Sequence, residues 1–331
     1  MDAVTRPLTV QALLVRDGIV SPIGPAEVAE FAGSGFVWLH AEGVGHQGAG
    51  GETMNLPGYV PSLAANALVA SETRPRCDEV DDGVLINLRG TAADADVVSA
   101  QTSDGLVSIR VWVEGARVTS VSRHRLAALP RVEALMQAGR ITDGGDFVSA
   151  LAQAISVQLD PHVADLGDQL DDCEAMLDGG NVYELRRKIA AIRSQAIVLR
   201  RFVAPDRDAL GQMAQLPFNW IGKDDRMHLR EAADRFARMA EELEAVRERA
   251  ALLHEQLTDL RAEMIDKRSL AIAVTAFIFL PLTFVTGLLG MNVEGIPFAQ
   301  ESWAFWGVVG FCALISAMVM AWFAKAHWLD D

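Results

Sequence analysis

Two long apolar runs near the C-terminal end of the chain constrain its fold more than any other feature. Residues 270–289 and 303–324 contain no Asp, Glu, Lys or Arg, and a short loop joins them. Each run has about 20 residues, which as an α-helix rising ~1.5 Å per residue spans a hydrocarbon core of about 30 Å. Because lipid offers backbone groups no hydrogen-bond partner, both runs are expected to be helical. The sequence therefore predicts two transmembrane helices, with the loop outside the bilayer or in a wet cavity.

The basic residues beside these runs predict their orientation. Lys267 and Arg268 precede the first run and Lys325 follows the second, whereas the loop at 292–302 has acidic residues but no Lys or Arg. Since flanks rich in Lys and Arg stay inside, both termini are predicted to be cytoplasmic. The N-terminal residues contain no basic region leading into an apolar stretch, so we expect no secretory signal peptide. The predicted location is the inner (plasma) membrane.

Residues 1–144 are predicted to form a cytosolic α/β domain. Segments rich in β-branched or aromatic residues and bounded by Gly, Asp or Pro are expected to be strands. They are residues 9–15, 35–40, 83–88, 106–113 and 117–121. The last two flank a turn in which Gly115 can adopt a positive φ. Residues 56–70 and 131–138 are expected to be helical.

Residues 145–222 are predicted to form a helical hairpin. Apolar residues at three- and four-residue spacing run from 146 to 177, and a glycine pair follows. The second helix is expected to run from 181 or 182 to about Val203, before Pro205.

Acidic residues crowd the first helix of this hairpin, and the pairs Asp168/Asp172 and Asp171/Glu174 share a face. They could concentrate or sense cytosolic cations, or they could form a solvated surface, since their spacing defines no ligand set. His162 and Asp165 at i,i+3 could ligate a transition metal but have no third partner nearby in the sequence. These alternatives remain open at this point.

Residues 223–268 are predicted to form a long stalk helix that continues into the first span. No Gly or Pro occurs between Gly222 and Pro281, a run of 58 residues that would measure about 87 Å as one helix. Its apolar residues keep a heptad repeat, which predicts packing against other helices. The members are Leu229, Ala232, Phe236, Met239, Leu243, Val246, Ala250, Leu253, Leu257, Leu260 and Met264. The partner could be another subunit or the hairpin.

One face of the first span carries small and mildly polar residues. Walking back from Gly290 in steps of three and four reaches Gly287, Thr283, Leu280 and Ala276. Such a face can serve close helix packing or line a pore. The following loop offers the carboxamide oxygen of Asn292 and the carboxylate of Glu294. Oxygen groups of this kind can hold a cation through its hydration shell, and a pore made from this span requires several subunits.

Charge and motifs narrow the function classes further. The formal net charge of −15 disfavours nucleic acid as a partner. The scattered Cys77, Cys173 and Cys312 predict reduced packing residues and neither a disulfide framework nor a zinc knuckle. No P-loop, HExxH or CxxC motif organises a reaction, so we expect no enzyme and no resident cofactor. A membrane-anchored sensor is the alternative of a different class, but the loop of about 11 residues is too short to fold as an external domain.

The segment from Phe279 to Asn292, FLPLTFVTGLLGMN, resembles the end of the first transmembrane helix in the CorA superfamily of divalent-cation transporters. Those proteins have two C-terminal spans and a Gly-Met-Asn motif. The continuation VEGIP and the segments ETRPR at 72–76, DDGVLINLRG at 81–90, VSIRVWV at 107–113 and RRFVAPDRDAL at 200–210 are similar to its ZntB branch. Glu294 stands where that branch has Gly.

The resemblance implies a CorA-like homopentameric funnel with an α/β cytosolic domain, and a pore lined by the first span. It also implies Zn²⁺ as cargo, with transport coupled to protons, and Mg²⁺ or Co²⁺ transport is the alternative. Gly290, Met291 and Asn292 are expected to form the outer selectivity region, where Asn292 contacts a hydrated ion. Glu294 is expected to raise the local cation concentration or contact the metal.

Inside the membrane, Thr283, Gly287 and Leu280 are expected to line the conduit. Asp266 is expected at the inner mouth, unless it pairs with Lys267 or Arg268 of a neighbouring subunit. The segments predicted for the C-terminal part are the first span at 269–291, the external loop at 292–302, the second span at 303–324 and a cytoplasmic tail at 325–331.

Overall fold

The computed structural model describes residues 8–31, 33–43, 56–70, 74–93, 105–177, 181–291, 296, 298 and 301–325. The chain divides into two compact units, Met1–His254 and Glu255–Asp331. The first unit contains a β-sheet with helices packed on it, and the second contains two apolar helical segments. The predicted class, an α/β domain with a long helix and two apolar C-terminal helices, is confirmed.

The described residues of the first unit form one seven-stranded sheet. The strands are β1 (Thr9–Arg16), β2 (Ile19–Pro22), β3 (Phe36–Glu42), β4 (Arg76–Val80), β5 (Gly83–Thr91), β6 (Leu106–Glu114) and β7 (Arg117–Ser122). Their order is β2-β1-β3-β7-β6-β5-β4, with β3 and β7 parallel and the other neighbours antiparallel. The five predicted strands are confirmed, whereas β2 and β4, the two edge strands, were not predicted.

The helices are α1 (Pro25–Glu30), α2 (Ser62–Val69), α3 (Leu129–Gln137), α4 (Gly144–Ala175), α5 (Val182–Met213), α6 (Lys223–Leu289) and α7 (Ala304–Lys325). The two helices predicted in the α/β region correspond to α2 and α3. The first of them is shorter than expected, because Pro61 holds an extended conformation at its N-cap.

Alternate residues of the strands point to opposite faces of the sheet and build two apolar layers. On one face, Trp38 of β3 packs against Phe147 of α4 with ring centroids 5.2 Å apart. On the other face, Trp112 of β6 belongs to a buried cluster with Ala64 and Leu68 of α2. Burying one large apolar side chain stabilises a fold by about 1.5–3 kcal/mol. These layers therefore fix the helices to the sheet.

The helical hairpin is formed by α4 and α5, and its second helix is longer than the sequence indicated. Asp143 caps α4 by accepting a hydrogen bond from the backbone N–H of Asp146, 2.9 Å away. The prediction that the second helix ends near Val203, before Pro205, is wrong, because α5 continues to Met213. A proline in a helix costs about 3 kcal/mol. Here the apolar residues on either side of Pro205, among them Val203 and Leu210, are buried, and the helix packs on β4 and β5, which offsets that cost.

The predicted long helix is confirmed as α6, and its heptad residues from Leu229 to Leu253 are buried. Arg249 of α6 donates hydrogen bonds to Asp171 (2.6 Å) and Glu174 (2.7 Å) of α4. Glu244 of α6 forms an ion pair with Arg200 of α5 at 3.0 Å. Along this stretch, α6 therefore packs against the helical hairpin of α4 and α5 in the same chain. Asp171 and Glu174 are salt-bridged and not merely solvated.

Candidate functional site

The second unit contains two helices that are long and apolar enough to cross a membrane, which confirms the two predicted spans by length and composition. The first is the C-terminal part of α6 and the second is α7. Their apolar windows are not buried inside the chain. Such a surface is stable only when lipid or further protein covers it.

Each span has a half-buried stripe. On α6 the stripe contains Val274, Ile278, Leu282, Val285 and Leu289, and on α7 it contains Ala304, Val308, Cys312, Ile315, Val319 and the buried Phe323. Phe277 and Phe323 meet edge to face with their ring centroids 6.1 Å apart. The half-buried stripes indicate the side on which each apolar segment packs against the other, and Phe277, which is 60% exposed, adds a contact beside the stripe of α6.

The residues predicted to line the conduit lie on the other side of α6. At about 100° per residue, Leu280, Thr283 and Gly287 are roughly opposite the stripe that contains Val285. All three are exposed in the single chain, Leu280 to 72%. A Cβ atom built on Gly287 would meet open space. This face is consequently available to other subunits or to an aqueous path.

The threonines of the first span bond to their own helix. The Thr283 hydroxyl donates to the carbonyl oxygen of Phe279 at 2.8 Å, and the Thr286 hydroxyl donates to that of Leu282 at 2.9 Å. These bonds satisfy the hydroxyl donors in a stretch where Pro281 removes one backbone N–H. The oxygen of Thr283 keeps its acceptor capacity and can therefore accept a hydrogen bond from water around a cation.

The end of the first span is compact. α6 ends at Leu289, and the backbone N–H of Gly290 donates to the carbonyl oxygen of Thr286 at 2.9 Å. Met291 follows with its side chain about half exposed. Asn292 and Glu294, the two residues assigned to the metal, lie outside the described residues. Their proposed roles therefore rest on the sequence.

Asp266, predicted at the inner mouth, is exposed near the start of the first span. Within the chain the neighbouring Lys267 pairs with Glu263 at 2.8 Å. The hydrogen bond and charge of Lys267 lower the pKa of the Glu263 carboxyl. Lys267 is thus engaged by a residue one turn earlier.

The structure also brings together three carboxyl groups that sequence reasoning did not connect. Ligand atoms of Asp143, Asp146 and Asp225 all lie within 4.8 Å of one another, so their spacing could hold a hard cation. Asp225 also accepts a hydrogen bond from the backbone N–H of Gly222 at 2.8 Å, and Asp146 accepts one from that of Thr142 at 2.8 Å. The cluster thus serves first to cap the starts of α4 and α6.

Burial raises the pKa of Asp225 to about 6, and the charges of Asp143 and Asp146 act in the same direction. The pKa of Asp143 is also raised, chiefly by burial. In the sequence, the sign of these residues was an acidic residue at the start of each helix, Asp146 in α4 and Asp225 in α6. That pattern predicts caps but cannot show that two distant helix starts meet.

Comparison with known proteins assigns this arrangement to a family. The model of the family described as CorA-like Mg²⁺ transporter protein matches residues 33–325. The Zinc transport protein ZntB of Pectobacterium carotovorum is 30% identical over 313 residues, which cover 94% of this chain and 93% of the relative.

Two solved structures are similar over nearly the whole chain. The full-length CmaX protein has 26% identity and a TM-score of 0.72, with 97% of this chain and 100% of that chain covered. The CorA magnesium transporter from Methanocaldococcus jannaschii has a TM-score of 0.73 over 99% of this chain and 100% of its own. At 16% identity the latter establishes the fold alone.

Proposed function

The chain belongs to the CorA-like Mg²⁺ transporter family, and from this premise we propose that it carries divalent metal cations across a membrane, with Zn²⁺ as the cargo. The observation that carries the proposal is the exposed face of the first span, which ends in the Gly-Met-Asn sequence. The relative named as a zinc transport protein supports the choice of Zn²⁺.

The ion moves as a largely hydrated species. Zinc usually prefers thiolate and imidazole ligands. The described parts of the spans offer Cys312 alone of these types, and it lies on the stripe of α7 that faces α6. Oxygen groups must therefore handle the cation. The exposed hydroxyl oxygen of Thr283 and the backbone carbonyl groups near Gly290 can accept hydrogen bonds from water molecules bound to the ion.

The outer selectivity region consists of Gly290, Met291 and Asn292. The carboxamide oxygen of Asn292 accepts hydrogen bonds from water around the ion without the strong attraction of a full charge, which allows the ion to leave. Glu294 adds a carboxylate that raises the cation concentration at the entrance. Asp266 supplies a carboxylate at the inner mouth.

The transport unit is a homopentamer. In the part of the chain that the structure describes, two helices are long and apolar enough to span a membrane, and two helices cannot enclose an aqueous path. The heptad repeat also continues beyond the buried residues, since Met264 is 40% exposed in the single chain. Additional copies of the chain, arranged as a funnel around a common axis, cover these residues and the small-residue face of the first span.

The segments of the chain have separate tasks in this proposal. Residues 1–144 and 145–222 form the cytosolic part, 223–268 the stalk, 269–291 and 303–324 the spans, 292–302 the external loop and 325–331 the tail. Both termini are cytoplasmic in the inner membrane, and the pore lies along the first span. Protons accompany the cation, and the protein catalyses no covalent reaction.

Cation flux into proteoliposomes tests this function. Purified protein is reconstituted with a metal-sensitive dye inside the vesicles, and Zn²⁺, Mg²⁺, Co²⁺ and Ni²⁺ are compared with and without an imposed pH gradient. We expect the fastest flux for Zn²⁺ and a faster Zn²⁺ flux when the pH gradient is imposed. Faster flux of Mg²⁺ or Co²⁺ than of Zn²⁺ would instead favour the second candidate cargo, which the family description supports. Absence of flux for all four ions would contradict transport.

A further inference from the structure

Asp206 of α5 is a buried carboxyl group that the proposed transport path does not use. Its exposure is 0%, and the neighbouring side chains Val203 and Leu210 are also completely buried. It follows Pro205, in the part of α5 that the sequence did not predict to be helical. A charged side chain in such a place is costly unless it is paired, so its surroundings decide its protonation state.

One oxygen of Asp206 accepts a hydrogen bond from the backbone of the sheet. β4 pairs with β5 only as far as Asn87, which lies opposite Arg76. Two residues further along β5, the backbone N–H of Arg89 donates to Oδ1 of Asp206 at 3.1 Å. The carboxyl group thus accepts a backbone hydrogen bond at a point where the neighbouring strand has ended. This bond attaches α5 to β5.

The other oxygen of Asp206 has no corresponding support. Among the described residues, Oδ2 is buried without a hydrogen-bond partner. The Arg89 guanidinium lies over the ring of Phe202, with Cζ 3.9 Å from the centroid, and its Nη2 donates to the carbonyl oxygen of Leu106 at 3.4 Å. Burial raises the pKa of Asp206 well above its ordinary value, and the hydrogen bond and charge of Arg89 act against that shift.

Other charged groups on the packed elements are engaged elsewhere. On α5, Arg207 pairs with Asp208 at 2.7 Å. On β4, Arg76 pairs with Asp78 at 2.9 Å, and both are half exposed. α4 carries no ionisable side chain from 147 to 159. Among the described residues, the charge that acts on the Asp206 carboxyl group is that of Arg89, which lowers its pKa.

We propose that Asp206 holds a proton in the folded cytosolic unit and acts as a pH-sensitive latch between α5 and β5. In the protonated form the carboxyl group is neutral and keeps the Arg89 backbone bond. Loss of the proton places a negative charge in the apolar site, and the contact opens so that water can reach the carboxylate. The proton passes to solvent in this step.

The latch can affect the long helix because α5 contacts α6. Arg200, less than two turns before Asp206, forms the ion pair with Glu244 of α6. A shift of α5 away from β5 would therefore change how α6 is held. The proposal links cytosolic pH to the helix that continues into the first span, and it does not depend on which cation is carried.

Hydrogen exchange of the full-length protein in detergent tests the latch. Asp206→Asn keeps the shape of the side chain and mimics the neutral carboxyl group. The measured quantity is the exchange rate of the Arg89 amide in the wild type divided by that in the variant. Because amide exchange has the same intrinsic pH dependence in both proteins, that dependence cancels in the ratio. The pKa of Asp206 is higher when the contact between α5 and β5 is closed than when it is open. The closed form is therefore favoured at low pH, and this preference is lost as the pH rises towards the higher pKa. The ratio should therefore increase above pH 4, by up to about tenfold per pH unit.

Asp208→Asn is the matched control, because Asp208 lies two residues further along α5 and is exposed and paired with Arg207. It should leave the pH dependence at Arg89 as in wild type. A ratio for Asp206→Asn that stays constant from pH 4 to 9 would overturn the proposal. So would an equal effect of the Asp208 variant.

Infrared spectroscopy provides a second test, and its contradicting outcome is measured on the wild-type protein alone. A buried protonated carboxyl group should give a C=O stretching band that survives at pH 7, where exposed carboxyl groups are ionised. Specific labelling of aspartate with ¹³C should shift this band, and disappearance of the band in Asp206→Asn, where that variant folds, would assign it. Absence of any protonated aspartate at pH 7 would contradict the latch.

Discussion

Gly83 at the start of β5 lies directly against the indole ring of Trp112 in β6. A Cβ atom built on Gly83 would overlap the ring carbons Cζ2 and Cη2 and would lie 2.7 Å from the carbonyl oxygen of Val113. Trp112 is 1% exposed and belongs to the apolar cluster that holds α2 on the sheet. The absence of a side chain at Gly83 is thus a condition for this packing.

Gly83→Ala should lower the stability of the first unit by about 1–3 kcal/mol, because neither the ring nor the strand backbone can move without disturbing the cluster. Thermal unfolding of the purified protein, followed by tryptophan fluorescence, measures the change. Gly167→Ala is the matched control. A Cβ atom at this position of α4 meets open space, and a helical Gly→Ala change stabilises by up to about 1 kcal/mol. A melting temperature equal to wild type for Gly83→Ala would contradict the packing.

Strands and helices with strong apolar patterns could be predicted from the sequence, whereas those defined by tertiary contacts could not. β6 and β7 have dense β-branched residues and a glycine turn, and both were found. β4 reads Arg-Cys-Asp-Glu-Val, which has few β-branched or aromatic residues, and it pairs along the edge that Gly83 and the residues after it offer. Likewise the helix through Pro205 depends on burial that local propensity does not include.

Asp225→Asn should remove a pH dependence of stability. The pKa of Asp225 is about 6 in the folded protein, against about 3.9 in an unfolded chain. The folded state therefore binds more protons, and the wild type should lose stability as pH rises from about 4 to about 6. The loss is up to about 3 kcal/mol from this group. Denaturant unfolding at several pH values measures it.

The asparagine variant should retain the cap to Gly222 and be more stable than wild type above pH 6. Asp224→Asn is the matched control, since Asp224 is adjacent and exposed. A wild-type pH profile in Asp225→Asn would contradict the assigned environment.

This cluster of carboxyl groups could not be predicted from the sequence. Asp143 and Asp225 are 82 positions apart in the chain, and only the packing of α4 against α6 brings them together.

Gly287→Val should block cation flux if the small-residue face of the first span lines the conduit. The side chain would project from the exposed side of α6, opposite the stripe that faces α7, and narrow a shared axial path. Gly310→Val on α7 introduces the same side chain where a Cβ atom also meets open space. Dye-based flux in proteoliposomes should fall towards the rate of protein-free vesicles for the first variant and stay near wild type for the second. Equal flux in both would remove Gly287 from the conduit.

The two spans could be predicted because membrane helices obey strict rules of length, composition and periodicity. The role of the exposed face of the first span in conduction stays a prediction. The spacing of three and four residues placed Leu280, Thr283 and Gly287 on one face of the helix, and all three are exposed in the structure. The choice of cargo follows less directly from the sequence. Oxygen groups around a hydrated ion discriminate weakly between cations of equal charge, and Glu294 departs from the branch that the chain resembles.

The most direct test of the account is Zn²⁺ flux through Asn292→Ala in proteoliposomes, with the oligomeric state of the same preparation measured by native mass spectrometry. We predict that the variant forms the same homopentamer that we propose for the wild type, with flux reduced to that of protein-free vesicles, because the ring of carboxamide oxygens is lost while the helix contacts remain. Wild-type Zn²⁺ flux in an intact Asn292→Ala assembly would contradict it.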